Sequence, residues 1–284
     1  MLTKLITITI LSLTSIAQAE QFQAPITHTH WQVVESPLEC TLSQLIPGFG
    51  EAKFSQSSGK GDFTLVFITN THLSTQNNVS FEVSEARWQN IEQRLHLISV
   101  PTLNNQMQFT LSGELAKHAL THLEEGRAPA IRYYSKHMNE EISVLISTVH
   151  ATDSIPAFRQ CLANLSPYTF DDNNMLTIHF ELEKSNLSND AQEALTTLAN
   201  YIKIDDSIKR VAISGHTDNH GRRSLNGPLA ESRAIVIKNF LVEQGEIPEK
   251  LITTSYYLER KPIATNKSLK GRALNRRSEI ELIR

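Results

Sequence analysis

The sequence lacks most of what would tie it to a membrane, a nucleic acid or a hydrolytic chemistry. After the first nineteen residues no long apolar run occurs, so no later segment reads as a membrane-spanning helix. No sign of charge dominates: 27 Lys and Arg stand against 30 Asp and Glu, a formal −3, which offers nucleic acid no bulk attraction. Cysteine occurs only twice, at Cys40 and Cys161, and neither has a second sulfur nearby to start a zinc cage. There is no His-Glu-x-x-His helix and no Gly-x-Ser-x-Gly elbow. His216, Asp218 and His220 share one loop but supply no convergent ligand set with an open coordination position. The chain therefore reads as a binding protein, not an enzyme, and calls for no cofactor.

What is present begins with an export signal. Residues 1–19 contain Lys4, an apolar centre from Leu5 to Ile16 and the small-x-small end Ala17-Gln18-Ala19. This is the pattern of a secretory signal peptide, cleaved after Ala19 and too short to serve as an anchor. No cysteine stands at the cleavage site to carry a lipid, so a soluble product outside the cytoplasm is expected, with no membrane insertion. An exported chain with two cysteines is a candidate for one disulfide, with two free thiols or a metal site as the other readings. A Cys40–Cys161 bridge would close a loop of 121 positions, which the chain-entropy model values at roughly 4–5 kcal/mol.

A length of 284 residues suits two domains with separate cores. Short β-favouring runs follow one another at Trp31 to Val34, Phe63 to Thr69, Val79 to Val83, Arg94 to Val100, Met107 to Leu111, Ile131 to Tyr134 and Ile142 to Val149. They predict a β-rich domain over 20–165, with a helix over Glu114 to Glu125, a second starting at Pro156, and an irregular, flexible lead from Glu20 to His30. Turn-forming residues over 166–174 read as a linker. The domain over 175–284 shows strands near Met175, Val211, Leu251 and Ser278. Its two helices are expected over Ala191 to Tyr201, with a capping box from Asn189 and Gln192, and over Pro228 to Gln244. The order β-α-β-α-β-β implies an α/β sandwich, a mixed sheet with helices on one face, and an α+β class for the whole chain.

The most informative stretch is Val211-Ala212-Ile213-Ser214-Gly215-His216-Thr217-Asp218 and the helix after it, a strand, a polar loop and a helix. At about 100° per residue Arg233 falls within the apolar stripe between Leu229 and Val236, where a long cation needs a partner, and that partner is expected to be anionic. Gly215-His216-Thr217-Asp218, Leu225-Asn226, Leu229, Glu231, Arg233-Ala234 and Asn275-Arg276-Arg277 resemble, in order and spacing, the signature of OmpA-like peptidoglycan-binding domains. The resemblance implies that Asp218 and Arg233 hold the free amino and carboxylate groups of diaminopimelate in the peptide stem of the cell wall, with Thr217, Asn226 and Leu229 beside them. The chemistry fits: a zwitterion asks for one carboxylate and one planar guanidinium with two parallel donors. Backbone N–H groups around Asn226 to Leu229 would add the positive end of a helix dipole. On spacing alone, Asp218 and Arg233 read equally as a structural ion pair. One departure stands out, for Tyr256-Tyr257-Leu258-Glu259 occupies a turn that such domains usually build as Gly-x-Gly-Glu.

The first domain has a resemblance of its own. Trp31, Ser36-Pro37-Leu38-Glu39-Cys40, Ile46-Pro47, Phe49-Gly50, Ala52, Phe54, Gly113-Glu114-Leu115, Leu123-Glu124, Gly126-Arg127, Phe158 and Cys161 look like the N-terminal domain of the MotY family, T-ring proteins of sodium-driven polar flagellar motors. This implies a periplasmic protein whose first domain docks on the flagellar basal body and a MotX-like partner while the second grips the wall, and which acts on stator units indirectly. The rival reading is a general OmpA-family wall anchor with no flagellar role. Histidines at His28, His30, His118, His122, His137 and His150 invite a metal, but no third ligand joins the helical pair His118 and His122, so they read as ordinary side chains.

Overall fold

Most of the short β-favouring runs are strands in the structure, a computed structural model, and clear alternation of buried residues marks Gln108–Ser112 and residues 131–135 among them. It describes residues 20–59, 61–85 and 93–284; the signal peptide expected over 1–19 lies outside the described residues. Packing divides the chain into a first unit of residues up to Glu35, Cys40–Gln56 and Asp62–Leu162, and a second of Ser36–Glu39, Ser57–Gly61 and Ala163–Arg284.

The first unit contains β1 (Glu20–Gln23), β2 (Trp31–Glu35), β3 (Glu39–Ile46), β4 (Gly50–Ser57), β5 (Thr64–Thr69), β6 (Asn78–Ser84), β7 (Arg94–Pro101), β8 (Gln108–Ser112), α1 (Glu114–Glu124), β9 (Ala128–Ser135), β10 (Glu140–Leu145) and α2 (Ala151–Ala163). They form two five-stranded sheets, β1-β10-β9-β6-β7 and β2-β3-β4-β5-β8. Four elements differ from expectation, one of them β4, a strand over a mostly polar run that carries no strong β signal. The lead is not irregular: β1 pairs in parallel with β10, and Phe22 packs its ring against His72 at 4.6 Å and Phe49 at 6.3 Å. One aromatic anchor and a ladder of backbone bonds hold a segment whose other side chains are mostly polar. β3 hides from a hydrophobicity pattern because its inward face, Cys40, Leu42, Gln44 and Ile46, includes a glutamine. Gln44 is tolerated there because its amide gives one hydrogen bond to the Ser147 carbonyl at 3.0 Å and accepts one from the Ser147 N–H at 2.7 Å. Helix α2 starts before Pro156 and keeps the proline inside it.

The second unit contains α3 (Phe170–Asn173), β11 (Met175–His179), α4 (Asn189–Ile204), β12 (Arg210–His216), α5 (Arg223–Glu243), β13 (Ile252–Leu258), α6 (Leu269–Asn275) and β14 (Arg277–Ile283). Strand order is β11-β14-β12-β13, with β12 and β13 parallel and β14 antiparallel to both of its neighbours, the mixed sheet that was expected. Val211, Ile213, Ile280 and Leu282 present one apolar face to Leu195, Leu198, Ala234, Ile237 and Leu241 of α4 and α5. Ser188, not Asn189, caps α4, its hydroxyl accepting from the Ala191 N–H at 3.2 Å. The stretch read as a linker contains α3, closed by a capping box between Thr169 and Asp172. No helix among the described residues is long and apolar enough to cross a membrane.

Cys40 on β3 and Cys161 on α2 are joined in a disulfide with Cα atoms 5.9 Å apart, both sulfurs in buried surroundings. Non-reducing peptide mapping of protein from its native compartment should recover this one cross-linked pair, and replacing both cysteines by serine should lower the stability of the first unit by about 2–5 kcal/mol. Two titratable thiols per chain in the native protein would contradict the bridge.

Candidate functional site

The site forms where β12 hands over to α5. Gly215 makes this possible, because a Cβ there would lie 1.9 Å from the Ala230 carbonyl oxygen, so only glycine lets the helix lie this close to the strand. The ladder between β12 and β13 shifts register at Gly215/His216, opposite Tyr256 and Leu258. Leu258 takes φ +55°, the left-handed conformation for which glycine is the usual residue, and its carbonyl receives the Thr217 N–H at 3.1 Å. The unusual Tyr-Tyr-Leu-Glu turn thus keeps a glycine-like backbone at Leu258 at a cost of about 1–2 kcal/mol.

Arg233, on α5, is fully buried. Its guanidinium does not pair with Asp218. Nε donates to the Lys184 carbonyl at 3.0 Å, one terminal nitrogen to the His216 carbonyl at 2.8 Å and the other to the Glu181 carbonyl at 3.2 Å. In place of the anionic partner expected for this cation, the folded chain supplies a cage of three neutral backbone oxygens, two of them from the turn after β11. These carbonyls use three of the five donors a guanidinium carries and leave its charge without a direct carboxylate partner. Burial and the nearby Arg276 push its pKa down to about 10, with Asp218 opposing, so it stays charged at neutral pH.

Asp218 is almost fully buried. One carboxylate oxygen accepts from the His220 N–H and the other from Arg276, both at 3.0 Å. Asn226 ties the loop by donating to the carbonyls of His220 at 3.0 Å and Asp218 at 3.4 Å. Helix α5 begins at Arg223, well before the expected Pro228, so the Asn226 N–H is already spent on the Arg222 carbonyl at 3.1 Å and is not a free donor for a ligand. The Thr217 hydroxyl is buried and without a hydrogen-bond partner.

These groups converge on one cleft of about 290 Å³, lined among others by Thr217, Asp218, Asn226, Leu229, Arg233 and Arg276. All five residues singled out from the sequence face it. Arg276, which steadies Asp218, and Leu182, Glu183 and Leu225 at its rim were not singled out. For Arg276 and Leu225 a signal existed in the Asn-Arg-Arg and Leu-Asn blocks, whereas Leu182 and Glu183 carry none. Behind the cleft His216 is buried, stacks on Tyr257 with ring centroids 5.5 Å apart, and lies 3.6 Å from Glu279. Burial, then Arg277, outweigh Glu279 and push its pKa down to about 4. No group of three or more His, Cys, Asp or Glu among the described residues is placed to hold a metal ion.

Comparison with known proteins bears on both units. The family model for the MotY N-terminal domain matches residues 22–167, and that for the OmpA family matches 179–276. The sodium-type flagellar protein MotY of Vibrio parahaemolyticus is 30% identical over 99% of this chain and 97% of its own length. The peptidoglycan-associated lipoprotein of Pseudomonas aeruginosa is 40% identical over 37% of this chain and 61% of its own. Among solved structures, the C-terminal domain of Helicobacter pylori MotB is 25% identical over 38% of this chain and 84% of that one, with a TM-score of 0.36.

The depressed pKa of His216 makes a pH prediction with a definite sign. Its folded value lies below the ordinary 6.5, so as pH falls from about 6.5 towards 4 the unfolded chain takes up a proton that the folded chain refuses, and stability drops by on the order of 3 kcal/mol. Urea unfolding at neutral pH and near pH 4.5 should show a smaller acid loss in His216→Gln than in the parent. A His216 ring-proton titration centred near 6.5 in the folded protein would contradict this.

Proposed function

The chain belongs to the MotY family, and from that membership we propose that it is a non-enzymatic periplasmic anchor of the flagellar motor. Its OmpA-family domain, 175–284, holds the peptide stem of peptidoglycan by diaminopimelate. Its first domain, 20–165, docks on the flagellar basal body and a MotX-like protein, so that stator units gather on a support fixed to the wall. The names of its relatives support the reading at both ends, one a flagellar protein and another a peptidoglycan-associated lipoprotein.

One observation carries the ligand assignment. Arg233 is fixed by three backbone carbonyls and keeps a cation with no direct carboxylate partner in the same cleft as a carboxylate, Asp218. The cage takes up the ordering cost of the side chain in advance, which leaves two donors and a full charge for a ligand carboxylate. Charge-assisted bonds of this kind contribute about 1.5–3 kcal/mol each. Asp218, steadied by Arg276, receives the ligand ammonium, and the idle Thr217 hydroxyl offers a further hydrogen bond. Leu229, with Leu182 and Leu225, covers the aliphatic stem between the two charged ends. Asn226 acts through the loop it ties and not through its own N–H.

Asp218→Asn removes the counter-charge for the ammonium and should weaken co-sedimentation with purified peptidoglycan by about tenfold or more. Arg233→Lys keeps a charge but loses the planar fork, and should do the same while also lowering the melting temperature, because one ammonium cannot serve three carbonyls in that geometry. If both variants remain folded by circular dichroism and sediment like the parent, the cleft is not the wall-binding site.

A further inference from the structure

Although the whole chain is nearly neutral, the segment between Glu259 and Glu279 contains no acidic residue and is rich in Lys and Arg. Arg276 and Arg277 at its end are engaged in the fold, whereas Arg260, Lys267 and Lys270 are exposed and have no acidic partner among the described residues. Lys261 is exposed as well, its ammonium 3.7 Å from the centre of the Tyr257 ring. The segment is held in shape from inside. The Asn275 side chain accepts from the N–H groups of Ile263 and Ala264 at 2.9 and 3.0 Å and donates to the Ala264 carbonyl and the Asn266 side chain, both at 2.8 Å. Arg272 donates to the Asn266 carbonyl at 2.9 Å. Gly271 sits where a Cβ would lie 2.0 Å from the Thr265 carbonyl oxygen. The cations are thus displayed on a braced surface, and the segment runs directly into Arg276, which lines the cleft.

We propose that residues 260–272 form a second, electrostatic contact with the wall, in which Arg260, Lys267 and Lys270 meet carboxylates of peptide stems neighbouring the one held in the cleft. The inference rests on the cleft reading for the identity of the polymer. A peptidoglycan strand is a polyanion because its stems end and branch in free carboxylates, so a cationic segment that runs in the chain into Arg276 of the cleft meets like groups at each further stem. Exposed charges of this kind act additively and are screened by salt, which distinguishes them from the buried grip of Arg233. Their contribution is therefore to avidity for the polymer and not to recognition of a single stem.

The test uses the full mature chain and the double substitution Lys267→Glu, Lys270→Glu, with Lys267→Gln, Lys270→Gln as the milder change. Binding to purified sacculi is measured by sedimentation from about 20 to about 300 mM NaCl, a range over which the screening length shrinks several-fold. The parent should lose affinity as salt rises. The Glu variant should bind sacculi about three- to tenfold more weakly at low salt with a flattened salt dependence, and the Gln variant should fall between. A soluble stem peptide containing diaminopimelate should bind all three proteins equally. Equal sacculus binding by parent and Glu variant overturns the proposal. So does loss of binding to phosphatidylglycerol vesicles with sacculus binding intact, since the segment would then serve a lipid surface. If the stem peptide binds none of the proteins while the Glu variant still loses sacculus affinity, the second contact stands and the cleft reading falls.

Discussion

A buried guanidinium without a carboxylate is the constraint on which the second unit is built. Arg233 can sit in the apolar stripe of α5 only because the His216 carbonyl at the end of β12, and those of Glu181 and Lys184 in the turn after β11, turn towards it. Removing the guanidinium would strip the buried His216 carbonyl of this donor, at about 1–3 kcal/mol, and would release the turn that Glu181 and Lys184 hold to the helix. The cation therefore fixes three pieces of chain relative to one another: the strand end, the helix and the turn that forms the rim of the cleft. Because carbonyl dipoles orient a cation without neutralising it, the same contacts that hold the fold leave the charge available for binding.

The other side of the cleft follows a complementary logic. Asp218 is buried and its charge is shared with Arg276 and the His220 N–H, so it is fixed in direction but not closed off by the cation opposite. On the proposed reading, keeping Asp218 and Arg233 apart is what leaves both groups open to a zwitterion, since a direct pair would satisfy each with the other. The separation is set by backbone geometry: Gly215 admits the helix, the register shift beside it turns the chain, and the left-handed Leu258 accepts the Thr217 N–H.

The strand-loop-helix frame and the importance of Arg233 could be read directly from the chain, because a cation at an apolar helical position is a local anomaly. Its partners could not, because two of the three carbonyls come from 49 and 52 residues earlier in the chain and carbonyls have no side-chain signature. Helix α6 went unread because it is short and polar, and β3 because Gln44 occupies a core position through hydrogen bonds rather than apolarity. β1 was missed because one anchor, Phe22, holds an otherwise polar strand. In each case long-range contacts outweighed the local pattern. The cysteines show the converse, for a compartment argument from the leader and two isolated residues pointed to the bridge that is present.

The central claim is that the cleft reads both ends of a zwitterion, and ligand chemistry tests it most directly. Calorimetric titration of the full chain should compare a stem peptide carrying diaminopimelate with one carrying lysine at the same position, which keeps the ammonium and lacks the second carboxylate. The account predicts that the diaminopimelate peptide binds and that the lysine peptide binds about tenfold to a hundredfold more weakly, because Arg233 then faces no anion. Equal affinity for the two peptides would contradict it.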